Sequence, residues 1–282
     1  MLVATQRLLG LEDRDILRAA TGLGGGIGHE GDTCGALTGG ILSLGLPARG
    51  CDAAGLDRQC AEYYRRFTTR FGTSKCTDIT GVKFKENYDI GRFFLKGLKC
   101  LGVIYTSIDS LFDIILEADP GVFSKTAYPA RPCFEENRLH CAGSVLAAIE
   151  NELNLDLSSV ITASRGFSGG IASQGDICGA LLGGVLALGA VYGPDLKRIH
   201  SARAFRVGLL ALKEGSRIFR RENLHPSFKT SSRVSHLYRS FVARFGSADC
   251  TGILGETHRP GDRDLYAEIT RSASRLTLDV ME

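Results

Sequence analysis

Long apolar runs are missing from the 282-residue sequence. Its two most apolar stretches, CGALTGGILSLGL and CGALLGGVLALGAVYG, are shorter than the roughly 18–20 residues that a membrane-spanning helix needs. The N-terminus also lacks the basic start and apolar stretch of a secretory signal. We therefore expect a cytoplasmic protein without a membrane-bound segment.

Common catalytic and metal-binding motifs are missing too. No two of the nine cysteines are spaced as C-x-x-C, which argues against a thioredoxin-type dithiol and a zinc ribbon. Without C-x-x-C-H, no c-type haem is expected, and there is no P-loop, G-x-S-x-G or H-E-x-x-H. A net charge of only +3 does not favour nucleic acid as a partner. In a reducing compartment the cysteines are not expected to form a disulfide framework, so metal binding, redox chemistry or burial must account for them.

Glycine, in contrast, is abundant, with 35 residues, and much of it lies in an internal repeat. Residues 22–45 and 166–189 are identical at 15 of 24 positions, at an offset of 144 residues. Residues 63–81 and 237–255 are identical at 10 of 19 positions, at an offset of 174. The chain is therefore a tandem duplication, with copy 1 at 1–120, a linker at 121–132 and copy 2 at 133–282. The larger second offset places an insertion in copy 2 near 194–235.

The hydrophobic pattern predicts an all-α protein. Apolar residues recur at spacings of three and four, and alternation typical of strands is missing. Glycines that follow periodic segments are predicted C-caps, namely Gly45, Gly72, Gly193 and Gly246. We expect two duplicated helical-bundle domains that form an internal pseudo-dimer.

The repeat centres on GDTCGAL at 31–37 and GDICGAL at 175–181. Each follows a glycine-rich stretch that we interpret as a flexible loop and precedes a helical segment. Asp32 and Asp176 are predicted N-caps, which would place Cys34 and Cys178 in the first helical turn and lower their thiol pKa values. Gly35 and Gly179 begin stripes of small residues that would let another helix approach closely.

Each copy retains three cysteines of a four-cysteine pattern. Cys76 and Cys250 are equivalent, whereas Cys100 aligns with Tyr266 in copy 2. The counterpart of Cys141 would fall before Met1. The remaining cysteines have no repeated partner and are interpreted as buried or incidental thiols, namely Cys51, Cys60 and Cys133.

Four segments together resemble the C_GCAxxG_C_C family of redox-active proteins: HCAGSVLAA, GFSGGIASQGDICGALLGG, RFGSADCTGILG and KCLGVIYTSIDSLFDIIL. The resemblance implies a small helical domain whose four cysteines bind an iron–sulfur cluster or carry out thiol redox chemistry. The metal ligands would be Cys34, Cys76 and Cys100 in copy 1 and Cys141, Cys178 and Cys250 in copy 2. Zinc, or no cofactor at all, is an alternative.

The sequence leaves several alternatives open. A three-cysteine copy could recruit Cys133, His140 or His29, leave one iron open, or be degenerate. The copies could also share cysteines, or a segment upstream of Met1 could supply the missing one. A non-catalytic interaction module predicts that the repeated cysteines lie far apart. A metal-free thiol redox enzyme predicts a close cysteine pair with a low pKa at Cys34 or Cys178.

The insertion is a candidate docking segment. Residues 194–235 contain ten lysines and arginines against three acidic residues. This excess of positive charge would suit an acidic redox partner.

Overall fold

A computed structural model describes residues 1–46, 53–84, 90–118, 140–195, 210, 222–255 and 263–282. These residues form twelve α-helices and two isolated β-bridges but no strand, so the predicted all-α class is confirmed. The predicted linker and most of the basic insertion lie outside the described residues. Cys51 and Cys133 lie outside them as well.

The helices follow the same order in both copies. Copy 1 contains α1 (Leu2–Leu8), α2 (Arg14–Ala19), α3 (Gly35–Leu44), α4 (Ala53–Phe71), α5 (Cys76–Thr80) and α6 (Ile90–Ala118). Copy 2 contains α7 (Cys141–Leu153), α8 (Ser158–Ala163), α9 (Gly179–Tyr192), α10 (Pro226–Phe245), α11 (Cys250–Leu254) and α12 (Arg263–Met281). A short 3₁₀ turn follows both α2 (Ala20–Leu23) and α8 (Ser164–Gly166).

The last helices of the two copies align by their buried positions. Val103, Ser107 and Leu111 face the core on α6, and Ile269, Ala273 and Thr277 do so on α12. The first, second and third residues of the two sets are each offset by 166 positions. Cys100 and Tyr266 have the same offset. The structure thus supports the alignment of α6 with α12, for which the sequence alone gives only weak evidence.

Helices α3 and α9 form the centre of the molecule. Every residue of α9 from Gly179 to Gly189 is buried, as is typical of a helix that is apolar on all sides. The predicted small-residue stripe lets α7 approach closely, because a Cβ at Gly183 would lie 3.0 Å from the Ala142 Cα. No helix in the described ranges is both long enough and apolar enough to cross a membrane.

All four predicted C-cap glycines end helices. Gly45, Gly193 and Gly246 are the C-caps of α3, α9 and α10, and Gly72 directly follows α4 with φ +77°. Gly246 also has a positive φ, +76°, where an L side chain would be strained.

The two copies interlock through their second helices. Helix α2 and its 3₁₀ turn pack against α9 of the other copy, while α8 and its 3₁₀ turn pack against α3. Arg18 in α2 donates hydrogen bonds to the carbonyl oxygens of Val191 (3.3 Å) and Gly193 (3.2 Å) at the end of α9. One continuous hydrophobic core therefore contains residues of both copies.

The glycine-rich stretches before α3 and α9 form hydrogen-bonded left-handed turns. The prediction of flexible loops there is therefore wrong. Residues 25–29 all have φ between +60° and +71°, and residues 169–173 repeat the conformation. Ile27 and Ile171 adopt it despite their branched side chains, and both are fully buried. Burial of these isoleucines offsets the roughly 1–2 kcal/mol per residue that a left-handed conformation costs. Glycine is thus used here to turn the chain tightly rather than to loosen it.

Close backbone contacts at the copy interface predict a sensitive position. A Cβ added at Gly189 would overlap the Ala19 carbonyl oxygen of the other copy. Gly189→Ala should lower the free energy of unfolding by about 1–3 kcal/mol in urea denaturation, because neither backbone can move without repacking α2. Gly102→Ala is the matched control, since nothing lies within 4 Å of a Cβ there. It should leave stability unchanged or raise it by about 0.5–1 kcal/mol, and equal effects of the two variants would contradict the interlocked packing.

Candidate functional site

Two antiparallel β-bridges fix the positions of four cysteines. In copy 1 the Cys34 amide donates to the Ser74 carbonyl oxygen (2.8 Å), and the Cys76 amide donates to the Asp32 carbonyl oxygen (2.7 Å). Copy 2 contains the equivalent bridge, with the same pair of amide hydrogen bonds. The segment before α3 therefore lies directly beside the segment before α5, although Cys34 and Cys76 are 42 positions apart in the sequence.

The cysteines lie at helix starts, but the predicted N-caps are wrong. Cys34 and Cys178 are themselves the N-cap residues of α3 and α9, rather than residues of the first turn. Asp32 and Asp176 each accept a hydrogen bond from the amide of the next residue and otherwise turn away from the helix. Their carboxylates accept hydrogen bonds from a lysine at the interface of the two copies. The helical pattern of the sequence does not reveal this contact.

In copy 1 the three repeated cysteines line one cavity of about 500 Å³. Its volume lies within the range of small-molecule and cofactor sites. Most of the wall is apolar or glycine, and His29 and Thr80 are its other polar side chains. The lining includes Leu23, Gly25, His29, Cys34, Cys76, Thr80, Val82, Phe84, Cys100, Val103 and Ile104.

The thiols of copy 1 are electrostatically unequal. The hydrogen bond from Cys76 lowers the pKa of Cys34 to about 7, and the amides of Ala36 and Leu37 lower it further against the effect of burial. The same hydrogen bond raises the pKa of Cys76, and burial raises that of Cys100. The hydrogen bond and the two amides therefore favour Cys34 as the thiolate and Cys76 as the thiol of the pair.

Copy 2 brings together the second predicted set, Cys141, Cys178 and Cys250. The three thiols influence one another's ionisation, and the Gly169 amide in the left-handed turn lowers the pKa of Cys141 against a larger effect of burial. Burial raises the pKa of Cys178 to about 12 and that of Cys250 to about 11. Equivalent positions thus carry thiols of different chemistry in the two copies, and the low pKa predicted for Cys178 is wrong.

The spacing of these cysteines differs from the spacing around a single zinc ion. Within the described ranges, one group alone has three His, Cys, Asp or Glu ligand atoms all within 4.8 Å of one another, and it consists of aspartates. Around one tetrahedral zinc ion the sulfurs would lie roughly 3.8 Å apart, given Zn–S distances of about 2.3 Å. In each set of three cysteines, at least two sulfurs therefore lie farther apart than they would around one zinc ion.

The aspartates surround the ammonium group of Lys75, which lies between the two copies. Its Nζ donates to Asp32 Oδ1 (2.6 Å), Asp249 Oδ1 (2.6 Å) and Asp176 Oδ1 (3.0 Å). Burial lowers the pKa of Lys75, but the three carboxylates outweigh it and the net shift is upward. Burial likewise raises the pKa of Asp176, yet Lys75 and the hydrogen bonds to that carboxylate hold it below the ordinary value. At Asp249 the effect of burial is larger than the opposing effect of Lys75, so the pKa of this carboxyl stays raised.

Two tyrosines cross between the copies to the same carboxylates. Tyr64 of copy 1 donates to Asp176 Oδ2 (3.0 Å), and Tyr238 of copy 2 donates to Asp32 Oδ2 (2.5 Å). Thr33 also donates to Asp176 (3.1 Å). Because each aspartate lies two residues before a helix-start cysteine, this network fixes the backbone just before Cys34 and Cys178.

Sequence reasoning located the cysteines but missed the charge cluster. The two copies contain the aligned tripeptides SKC and ADC, so that Lys75 stands where copy 2 has Asp249. Such a reversal of charge within a repeated block is the signal that could have revealed it. Cys60 is fully buried, as interpreted from its lack of a repeated partner.

Comparison with known proteins agrees with the geometry. The family model described as "Putative redox-active protein (C_GCAxxG_C_C)" matches residues 1–113 and 139–280. The chain therefore belongs to this redox-active family and contains two tandem copies of its domain. No curated protein and no solved structure matches the chain.

The pKa difference between equivalent thiols predicts different reactivity. The rate of Cys34 alkylation by iodoacetamide should rise through a midpoint near pH 7, because the thiolate is the nucleophile. Cys178 should remain unreactive across neutral pH. Cys76→Ala should shift the Cys34 midpoint upward by removing the thiol donor. Anaerobic labelling followed by peptide mass spectrometry measures each site, and identical profiles for Cys34 and Cys178 would contradict the assignment.

The charge cluster predicts an inverted pH dependence for a lysine variant. Lys75→Met should lower the free energy of unfolding by on the order of 3 kcal/mol at neutral pH, because three carboxylates would then face one another without a cation. Their pKa values in the folded state would rise above those of the unfolded chain. The variant should therefore regain stability as pH falls from about 8 to about 5. In the wild type the lowered pKa of Asp176 acts oppositely, contributing stability above about pH 4 that is lost on further acidification.

Urea unfolding across this pH range measures the effect. Lys99→Met, at an exposed position on α6, is the matched control and should change stability little at any pH. Equal behaviour of the two variants would show that the cluster contributes nothing to stability.

Proposed function

We propose that the copy 1 cavity is a redox centre in which Cys34, Cys76 and Cys100 bind an iron–sulfur cluster. The observation that carries the proposal is the convergence of these three thiols, from three different helices, on a single cavity. An iron–sulfur cluster supplies one-electron transfer when bound. The equivalent copy 2 set, Cys141, Cys178 and Cys250, is a second candidate ligand set. We propose electron transfer or small-molecule reduction as the role, in the reducing cytoplasm.

The residues present suit such a group. Thiolates are the usual protein ligands of iron–sulfur clusters, and the pKa of Cys34 is lowered to about 7, which favours its thiolate form. Cys76 and Cys100 have raised pKa values and would lose their protons on binding, so loading should release protons. The cavity walls are largely apolar, and the Lys75 cluster fixes the backbone just before Cys34 and Cys76.

A metal-free dithiol is the second candidate, and the Cys34–Cys76 hydrogen bond favours it specifically. The Cys34 thiolate and Cys76 thiol would form a disulfide, releasing two electrons and the Cys76 proton to a two-electron acceptor. A low-pKa thiolate beside a second thiol is the arrangement that such chemistry uses.

Anaerobic purification and reconstitution, followed by iron, sulfide, zinc and free-thiol analysis, separate the candidates. We expect a coloured protein with iron and sulfide in equal amounts. Cys34→Ala, Cys76→Ala and Cys100→Ala should each reduce the iron bound by copy 1, while Cys60→Ala, which removes a buried thiol without a repeated partner, should not. A protein that stays free of metal but loses two thiols on mild oxidation would support the dithiol, and one that does neither would refute both.

A further inference from the structure

Helix α6 carries a row of apolar residues that does not face the core. Its members follow one another at spacings of three and four residues, namely Leu98, Leu101, Tyr105, Ile108 and Phe112. This spacing places all five along one face of the helix, which we call the α6 stripe. It is also the spacing along which two long helices pack against each other. At about 1.5 Å per residue, the stripe is roughly 21 Å long.

The stripe is exposed although its side chains are large. Leu98, Leu101 and Tyr105 are 48%, 51% and 70% exposed, and Ile108 and Phe112 are half-buried. Among the described residues, six large hydrophobic side chains are exposed, and three of them lie in this one row. Single exposed apolar residues are common on protein surfaces, whereas a contiguous row marks an interaction site.

The fold does not itself require apolar residues at these positions. Helix α12 is the equivalent helix of copy 2, and the three exposed members of the stripe correspond there to Asp264, Ala267 and Arg271. These three residues are exposed as well, but two of them are charged. The same face is therefore suited to water in copy 2 and to an apolar partner in copy 1.

The charges beside the stripe are complementary to those of a second α6. Lys99, Asp109 and Asp113 are exposed, and each directly follows a member of the stripe, so all three lie along the same side of it. This side is basic near the start of the stripe and acidic toward its end. When two-fold symmetry runs two such helices antiparallel, the same side of each helix meets. Lys99 of one molecule then lies beside Asp109 and Asp113 of the other, whereas a parallel pair would leave these charges on opposite edges.

We propose that this protein forms a dimer through antiparallel pairing of the α6 stripes of two copies of the chain. The apolar rows cover each other, and the lysine and aspartates along their edges set the direction of pairing. One helix pair is a small interface, so we expect a monomer–dimer equilibrium with a dissociation constant on the order of micromolar.

Sedimentation velocity of the full chain, over a series of concentrations and with a reducing agent present, measures this equilibrium. Leu101→Glu would bury a carboxylate in the paired stripe and should raise the dissociation constant roughly 100-fold or more. Leu153→Glu is the matched control, because Leu153 is 40% exposed at the end of α7 and lies outside the stripe. It should leave the dissociation constant unchanged, and circular dichroism checks that both variants fold.

Charge reversal tests the direction of pairing. Lys99→Glu places like charges beside each other in the antiparallel dimer and should raise the dissociation constant roughly tenfold, with a smaller effect at high salt. Combining it with Asp109→Lys and Asp113→Lys reverses every sign and should restore the wild-type value. Without such restoration, the antiparallel arrangement is wrong.

Two further results would overturn the dimer itself. One is a wild-type chain that sediments as a monomer at every concentration, and the other is a dimer that Leu101→Glu weakens no more than Leu153→Glu does. None of these outcomes bears on the cysteine sites, so the inference stands or falls separately from the proposed function.

Discussion

The ammonium group of Lys75 is the contact on which the rest of the structure depends. It binds carboxylates from both copies, and each of these charged residues lies one or two positions before a cysteine. Buried ion pairs are often no more stabilising than apolar packing, but in some proteins they specify which arrangement forms. Here the ion cluster joins the two copies and fixes the backbone at the starts of α3, α5, α9 and α11.

One scaffold supports two different thiol environments. The cysteine backbones are held by equivalent bridges, yet the pKa of Cys34 falls to about 7 while that of Cys178 rises to about 12. A neighbouring S–H group outweighs burial at Cys34, whereas burial dominates at Cys178. Chemical divergence has therefore come from side chains around the cysteines, with the helices and left-handed turns unchanged.

Much of this architecture could be predicted from sequence because repeats and periodicity are local. Equivalent helices, C-cap glycines and the cysteine sets all followed from matching one segment to another. The N-caps were wrong because Asp32 and Asp176 gain more from a lysine that is distant in sequence than from capping a helix. The packing of α2 against α9 could not be predicted either. An amphipathic pattern shows that one face of a helix is buried, but it does not show which copy covers that face.

The exchange of Lys75 for Asp249 has a consequence for the history of the chain. Two separate copy 2 halves would bring four carboxylates to one point without a cation, whereas two copy 1 halves would bring two lysines and two aspartates together. A copy 2 half is thus not the natural mate of itself, and as a separate protein it would have to find a copy 1 half. Covalent fusion supplies a permanently high effective concentration of the right mate. Once fused, each half is released from self-recognition, and its interface and thiol site can evolve independently.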